Sequence, residues 1–144
     1  MKRIISCICL TLVMGIIMAV PVYATTNENQ RSSSFFRTYL LYLEKTSGNH
    51  FGIYYDVTGT GTMQEIGVEE IVLYRSQDGV NWEIACTYKS SIHTNMICQN
   101  TGTHDGYFIY CGTSGYRYQA EIRLYAKDSR GSATLTVYTN ILYL

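Results

Sequence analysis

The sequence predicts an all-β domain, an antiparallel β-sandwich of about seven to eight short strands. Three observations lead there. Apolar residues recur with a period of two, as they do in strands that bury one face. Clusters of Gly, Asp, Ser and Thr separate the alternating runs. The chain holds 14 tyrosines and a single proline, a composition that favours strands over helices.

The N-terminus places Lys2 and Arg3 before an apolar run from Ile4 to Val20, followed by Pro21 and the small-residue site ending at Ala24. That layout predicts a signal peptide over residues 1–24 and export from the cell. Residues 25–35 form a flexible polar lead-in, and residues 36–144 a single β-sandwich domain. Formal charges balance, and no basic stripe exists to engage nucleic acid. Once the signal is cleaved, no second apolar segment remains to hold a membrane.

Strands are expected near 37–45, 51–61, 69–76, 81–89, 93–99, 106–112, 116–127 and 132–142. In the second, Phe51, Ile53, Tyr55 and Val57 alternate with Gly52, Tyr54, Asp56 and Thr58. The cleanest alternation sets Tyr116, Tyr118, Ala120, Ile122, Leu124 and Ala126 against the intervening polar positions. Between the second and third strands, residues 62–70 read as a single helical turn. Asp78 and Gly79 supply a tight hairpin turn, and Thr101-Gly102 and Asp105-Gly106 read as further turns. On the hairpin's second arm, Trp82, Ile84, Cys86 and Tyr88 share a face, which assigns Trp82 a structural role between the sheets. Tyr118, Asp78 and Gly79 are structural on the same reasoning.

The segment Tyr116–Leu135 resembles the penultimate strand, corner and last strand of fibronectin type III and immunoglobulin-like sandwiches. Ala126, Asp128 and Gly131 stand at an A-x-N-x-x-G corner, with Asp128 in place of asparagine. From Phe51 onward the chain also resembles small secreted bacterial proteins of unassigned function, in which M-x-x-I-G (Met63 to Gly67) precedes I-x-L-Y-x-S-x-D-G-x-x-W (Ile71 to Trp82). The resemblance implies a sandwich and carries no activity. Ser76–Trp82 is close to the Asp-box of sialidase-type propellers but is one residue short between Asp78 and Gly79. An Asp-box is itself a structural turn.

Cys86, Cys98 and Cys111 follow the signal, and in an oxidising compartment two of them can form one disulfide. His93, Cys98, His104 and Cys111 lack the close ligand pairs of a zinc site, so neither metal nor cofactor is called for. Thr58–Thr62 lacks the helix and lysine of a phosphate loop. Glu65, Glu69 and Glu70 are too close together to flank a sugar from both sides.

Function is read from the tyrosines. Tyr54, Tyr110, Tyr125 and Tyr138 fall on outward positions. Tyr74, Tyr125 and Tyr138, with Arg123 as a polar partner, are expected to form the contact face of a non-catalytic module for an extracellular protein or glycan. One alternative is a small extracellular enzyme or inhibitor using His104 and Asp105 in the Thr103–Gly106 turn. The other is a structural subunit that self-associates through an edge strand or an unpaired cysteine.

Overall fold

A computed structural model describes residues 34–144; the expected signal and most of the lead-in lie outside the described residues. Seven strands follow in order: β1 Phe36–Ser47, β2 His50–Ser76, β3 Glu83–Lys89, β4 Ile97–Cys111, β5 Arg117–Asp128, β6 Gly131–Tyr138 and β7 Leu142–Tyr143. A short 3₁₀ turn, Thr94–Met96, leads into β4. All seven strands belong to one antiparallel sheet curled into a half-barrel.

The reason is β2. It runs for 27 residues. Held straight it would reach about 90 Å, far beyond a small domain, so it must bend. Two irregularities bend it. Between Thr58 and Met63 it advances five residues while β4 advances two, from Thr103 to Thr101. A second shift falls between Val68 and Glu70 opposite β5. Such bulges sharpen twist and turn a strand towards a new sheet direction. The first half of β2 therefore lies between β1 and β4, and the second half lies between β5 and β3. One bent strand carries what the sequence presented as two.

The core fills the concave side. Phe51, Ile53, Tyr55 and Val57 enter from the first half of β2, and Ile66, Val68, Ile71 and Leu73 from the second. Tyr118, Ala120, Ile122, Leu124 and Ala126 of β5 are all fully buried, as their alternation required. The Tyr118 hydroxyl accepts a 2.7 Å bond from the Thr113 N–H, tying the start of β5 to the loop before it. Among the described residues β1 pairs only with β2 and β6 only with β5, which makes them the two outer strands. Side chains bridge between them: Asn140 bonds the main chain of Leu43, and the Arg130 guanidinium lies 5.2 Å from the centre of the Phe35 ring.

Several sequence expectations are corrected. Residues 62–70 form strand, not a helical turn. Thr101–Gly106 also lies within a strand, β4, so the Thr103–Gly106 turn does not exist. Gly106 is needed there for space: a β-carbon would sit 2.3 Å from the Tyr55 hydroxyl oxygen. Tyr110 points inward, packing against Phe51 and Tyr118. Cys86, Cys98 and Cys111 are all free, and no two stand within disulfide distance.

Trp82 does not join the sheets. An irregularity between Leu73 and Tyr74, where Ala85 is the extra residue on β3, breaks the alternation. Cys86 and Tyr88 stay packed against the core while Ile84 turns outward and is 63% exposed. Trp82 precedes the strand, lies outside the core cluster and donates its indole N–H to Gly79 O at 3.2 Å. The turn itself is built by Asp78, whose carboxylate accepts from the N–H groups of Val80 and Asn81, the Asn81 amide and the Ser76 hydroxyl. Gly79, at φ +78°, takes the left-handed position that the turn requires.

Candidate functional site

Two outward faces carry the exposed tyrosines. The first belongs to β3, the second half of β2, β5 and β6, and it gathers every residue expected at the contact face. Register places Tyr74 beside Gln119, Arg123 between Glu70 and Thr136, Tyr125 between Gly67 and Thr134, and Tyr138 beside Glu121. These residues share a face, and the polar groups of Arg123, Tyr125 and Tyr138 are already engaged. The Tyr138 hydroxyl donates to Glu121 at 2.6 Å. That bond, then burial, raises the Tyr138 pKa above its ordinary value. Burial, then the charges of Glu121 and Glu70, raises Tyr74 in the same direction. Burial and a bond to Glu65 raise Tyr125.

Arg123 is equally occupied. Its Nε lies 2.9 Å from Glu69 and its Nη2 3.1 Å from Glu70. The Nε–H is not aimed at the Glu69 carboxylate, so that contact is an ion pair without a hydrogen bond. Lys89 pairs with Glu70 and Lys127 with Glu65. Each such exposed pair stabilises by only about 0–1 kcal/mol. Their common effect is to leave this face electrically satisfied.

The second face belongs to β1, the first half of β2 and β4. Tyr42, Tyr54 and Tyr107 are register partners and form one row across three strands. The Tyr42 and Tyr54 rings lie 4.9 Å apart at 13°, and Tyr54 and Tyr107 5.7 Å apart at 29°. Rings so close and so nearly parallel meet face to face with an offset, an arrangement that contributes about 0.5–1.5 kcal/mol per pair beyond burial. Gly52 makes the row fit, because a β-carbon there would lie 2.2 Å from the Tyr54 ring. Leu40, Tyr107 and Ile109 on the same face are 59%, 62% and 48% exposed. Asp56 and Asp105 are register partners one row along, and Glu44 stands one row the other way.

Sequence reasoning found Tyr54 on this face but not its neighbours. Tyr42 and Tyr107 join it only through strand register, which no local pattern encodes.

A scan of protein-family models, a search of curated proteins and a search of solved structures each find no match.

His104 and Asp105 do not form an acid–base pair. Consecutive strand residues point to opposite faces. The His104 ring lies inside, 5.7 Å from the Tyr55 ring with Nε2 2.9 Å from Asn95 O, while Asp105 lies outside beside Asp56. A cavity of about 260 Å³ opens at the hairpin end, lined by Arg75, Asp78, Trp82, Glu83 and Tyr116 among others. Its charged groups are occupied: Arg75 pairs with Glu83 and lies over Tyr116, and Asp78 holds the turn.

Proposed function

We propose that this chain is a secreted, non-catalytic binding module that contacts an extracellular protein or glycan through outward tyrosines on the β1–β2–β4 face. One observation carries the reading. Tyr42, Tyr54 and Tyr107 form a continuous aromatic row on an open sheet face, beside Leu40 and Ile109 that nothing within the described residues covers. The β3–β2–β5–β6 face, which carries Tyr74, has the hydroxyls of Tyr125 and Tyr138 and the Arg123 guanidinium occupied by internal partners and is the weaker contact surface.

The Tyr118 tie to Thr113 supports reading the fold as a relative of immunoglobulin-like sandwiches, where a tyrosine hydroxyl likewise bonds backbone a few residues upstream. Export is supported by the leader's charge and hydropathy pattern.

The test is retention of the purified protein on isolated cell wall, a polysaccharide panel and an extracellular protein fraction. Retention lost in Tyr42→Ala/Tyr107→Ala and kept in Tyr125→Ala/Tyr138→Ala supports the reading. The reverse pattern moves the contact surface to the other face, and equal retention of all forms removes the tyrosines from the account.

A further inference from the structure

The two outward faces differ in how they treat charge. On the β3–β2–β5–β6 face, Glu65, Glu69 and Glu70 each have a basic partner, and Glu121 accepts from Tyr138. On the β1–β2–β4 face, Glu44, Asp56 and Asp105 have no ion pair among the described residues. Between Thr38 and Glu44, Gly52 and Thr58, and Thr103 and Cys111, no outward position on this face holds Lys or Arg. Asp56 and Asp105 also stand directly opposite each other, an arrangement that costs stability unless something positive lies between them.

The aromatic row narrows the chemistry further. Tyr54 has a neighbouring ring on each side, so neither of its faces is open to the flat side of a pyranose. At its centre the row presents ring edge and hydroxyl, and the row is flanked by the aliphatic Leu40 and Ile109. The carboxylates lie two residues along the strands from the rings, a spacing of about 7 Å. An aliphatic stem with a cationic head matches both surfaces, since such side chains lay their methylenes on apolar surface and keep the charge at a polar site.

We propose that the β1–β2–β4 face binds a lysine- and arginine-rich extended segment of another protein, with stems along Tyr42, Tyr54 and Tyr107 and cationic heads at Asp56, Asp105 and Glu44. This rests on the preceding reading of the face as the contact surface and names its partner.

The experiment uses protein expressed from the full sequence and purified in the form the host delivers. Fluorescent oligolysine, oligoglutamate of equal length and a chitin oligosaccharide are titrated by anisotropy at low and at physiological salt. Oligolysine is expected to bind, and to bind more weakly as salt is raised. Asp56→Asn/Asp105→Asn should weaken it about tenfold or more, the loss of close charge pairs at an interface. Its urea midpoint should stay the same or rise, because a repulsion is removed. Glu65→Gln on the other face should leave binding unchanged. No oligolysine binding, equal binding of oligoglutamate, or indifference to Asp56→Asn/Asp105→Asn overturns the proposal. Chitin binding that is abolished by Tyr42→Ala/Tyr107→Ala but not by the aspartate changes overturns the cationic partner and leaves the contact face standing. If the tyrosine changes affect no probe, the face itself is wrong.

Discussion

The side chain of Asn140 bonds both main-chain groups of Leu43: its Oδ1 accepts from the Leu43 N–H at 2.7 Å, and its Nδ2 donates to the Leu43 carbonyl at 3.1 Å. One carboxamide thus stands in for a neighbouring strand's peptide on the outer edge of β1. It fastens the C-terminal segment to the first strand, 97 residues away in sequence. Asn140→Ala is expected to cost about 1–3 kcal/mol, two net hydrogen bonds at roughly 0.5–1.5 each. The urea midpoint reads it. Asn140→Asp keeps the acceptor but turns a carboxylate towards the Leu43 carbonyl, so its deficit should exceed that of alanine at pH 7 and shrink in acid. An alanine variant as stable as the parent would show that the clasp contributes nothing.

Gly52 and Tyr54 are coupled in the same testable way. The Tyr54 ring occupies the volume a Gly52 side chain would need. Gly52→Ala should therefore destabilise by about 1–3 kcal/mol, as overpacked sites do. In a Tyr54→Ala background the same change should cost much less, giving a coupling energy of about 0.5–3 kcal/mol in a double-mutant cycle. Additive effects would mean that the ring and the glycine are independent.

These two relationships also mark where the sequence was legible. The alternation in β5 placed Tyr118 through Ala126 in the core, because a two-residue period is a local property. Gly102 and Gly106 signal turns in the sequence, whereas both lie within β4, and Gly106 is there to admit the Tyr55 ring. A glycine that makes room for a distant residue looks in sequence like one that turns the chain. Alternation alone puts Trp82 on the core face, but the irregularity near Ala85 shifts the parity of β3. The tyrosine row and the unpaired Asp56 and Asp105 depend on register between strands about fifty residues apart, which alternation within one strand does not set.

The free cysteines make a prediction of their own. With no bridge present, reductant should leave the urea midpoint unchanged. In the native protein a thiol reagent should label exposed Cys111 first, and half-buried Cys86 and Cys98 only as the fold opens. A midpoint that falls on reduction would instead show a disulfide. A reductant-sensitive dimer that Cys111→Ser abolishes would support self-association.

Acid stability should depend on Asp78. The N–H groups of Asn81 and Val80, the Asn81 amide and the Ser76 hydroxyl hold its carboxyl well below the usual carboxylate range. Because the folded value is depressed, the stability it contributes is present above the unfolded value of about 4 and is lost as pH falls below that. Asp78→Asn keeps an acceptor for the turn but cannot titrate there, so the urea midpoint should fall less steeply between about pH 5 and pH 2. Unchanged steepness would place the acid sensitivity elsewhere, with Asp128 next, since Arg130 lowers its carboxyl too.

At the alkaline end the sign is opposite. Burial first, and the Asp105 charge second, push the Tyr55 hydroxyl up to about 12. The folded state therefore holds that proton more tightly than the unfolded chain. The stability this contributes is complete below the unfolded value of about 10 and is lost as pH rises from there towards 12. Tyr55→Phe has no proton to lose and should flatten the decline over that interval, read again from urea midpoints. Asp105→Asn removes the smaller cause and should move the Tyr55 ionisation down, followed by phenolate absorbance against the Tyr55→Phe variant. A bound oligoarginine, whose guanidinium groups stay charged over this interval, neutralises the same Asp105 charge and should lower the Tyr55 value in the same direction. No such movement on saturating oligoarginine would separate Asp105 from the cationic contact.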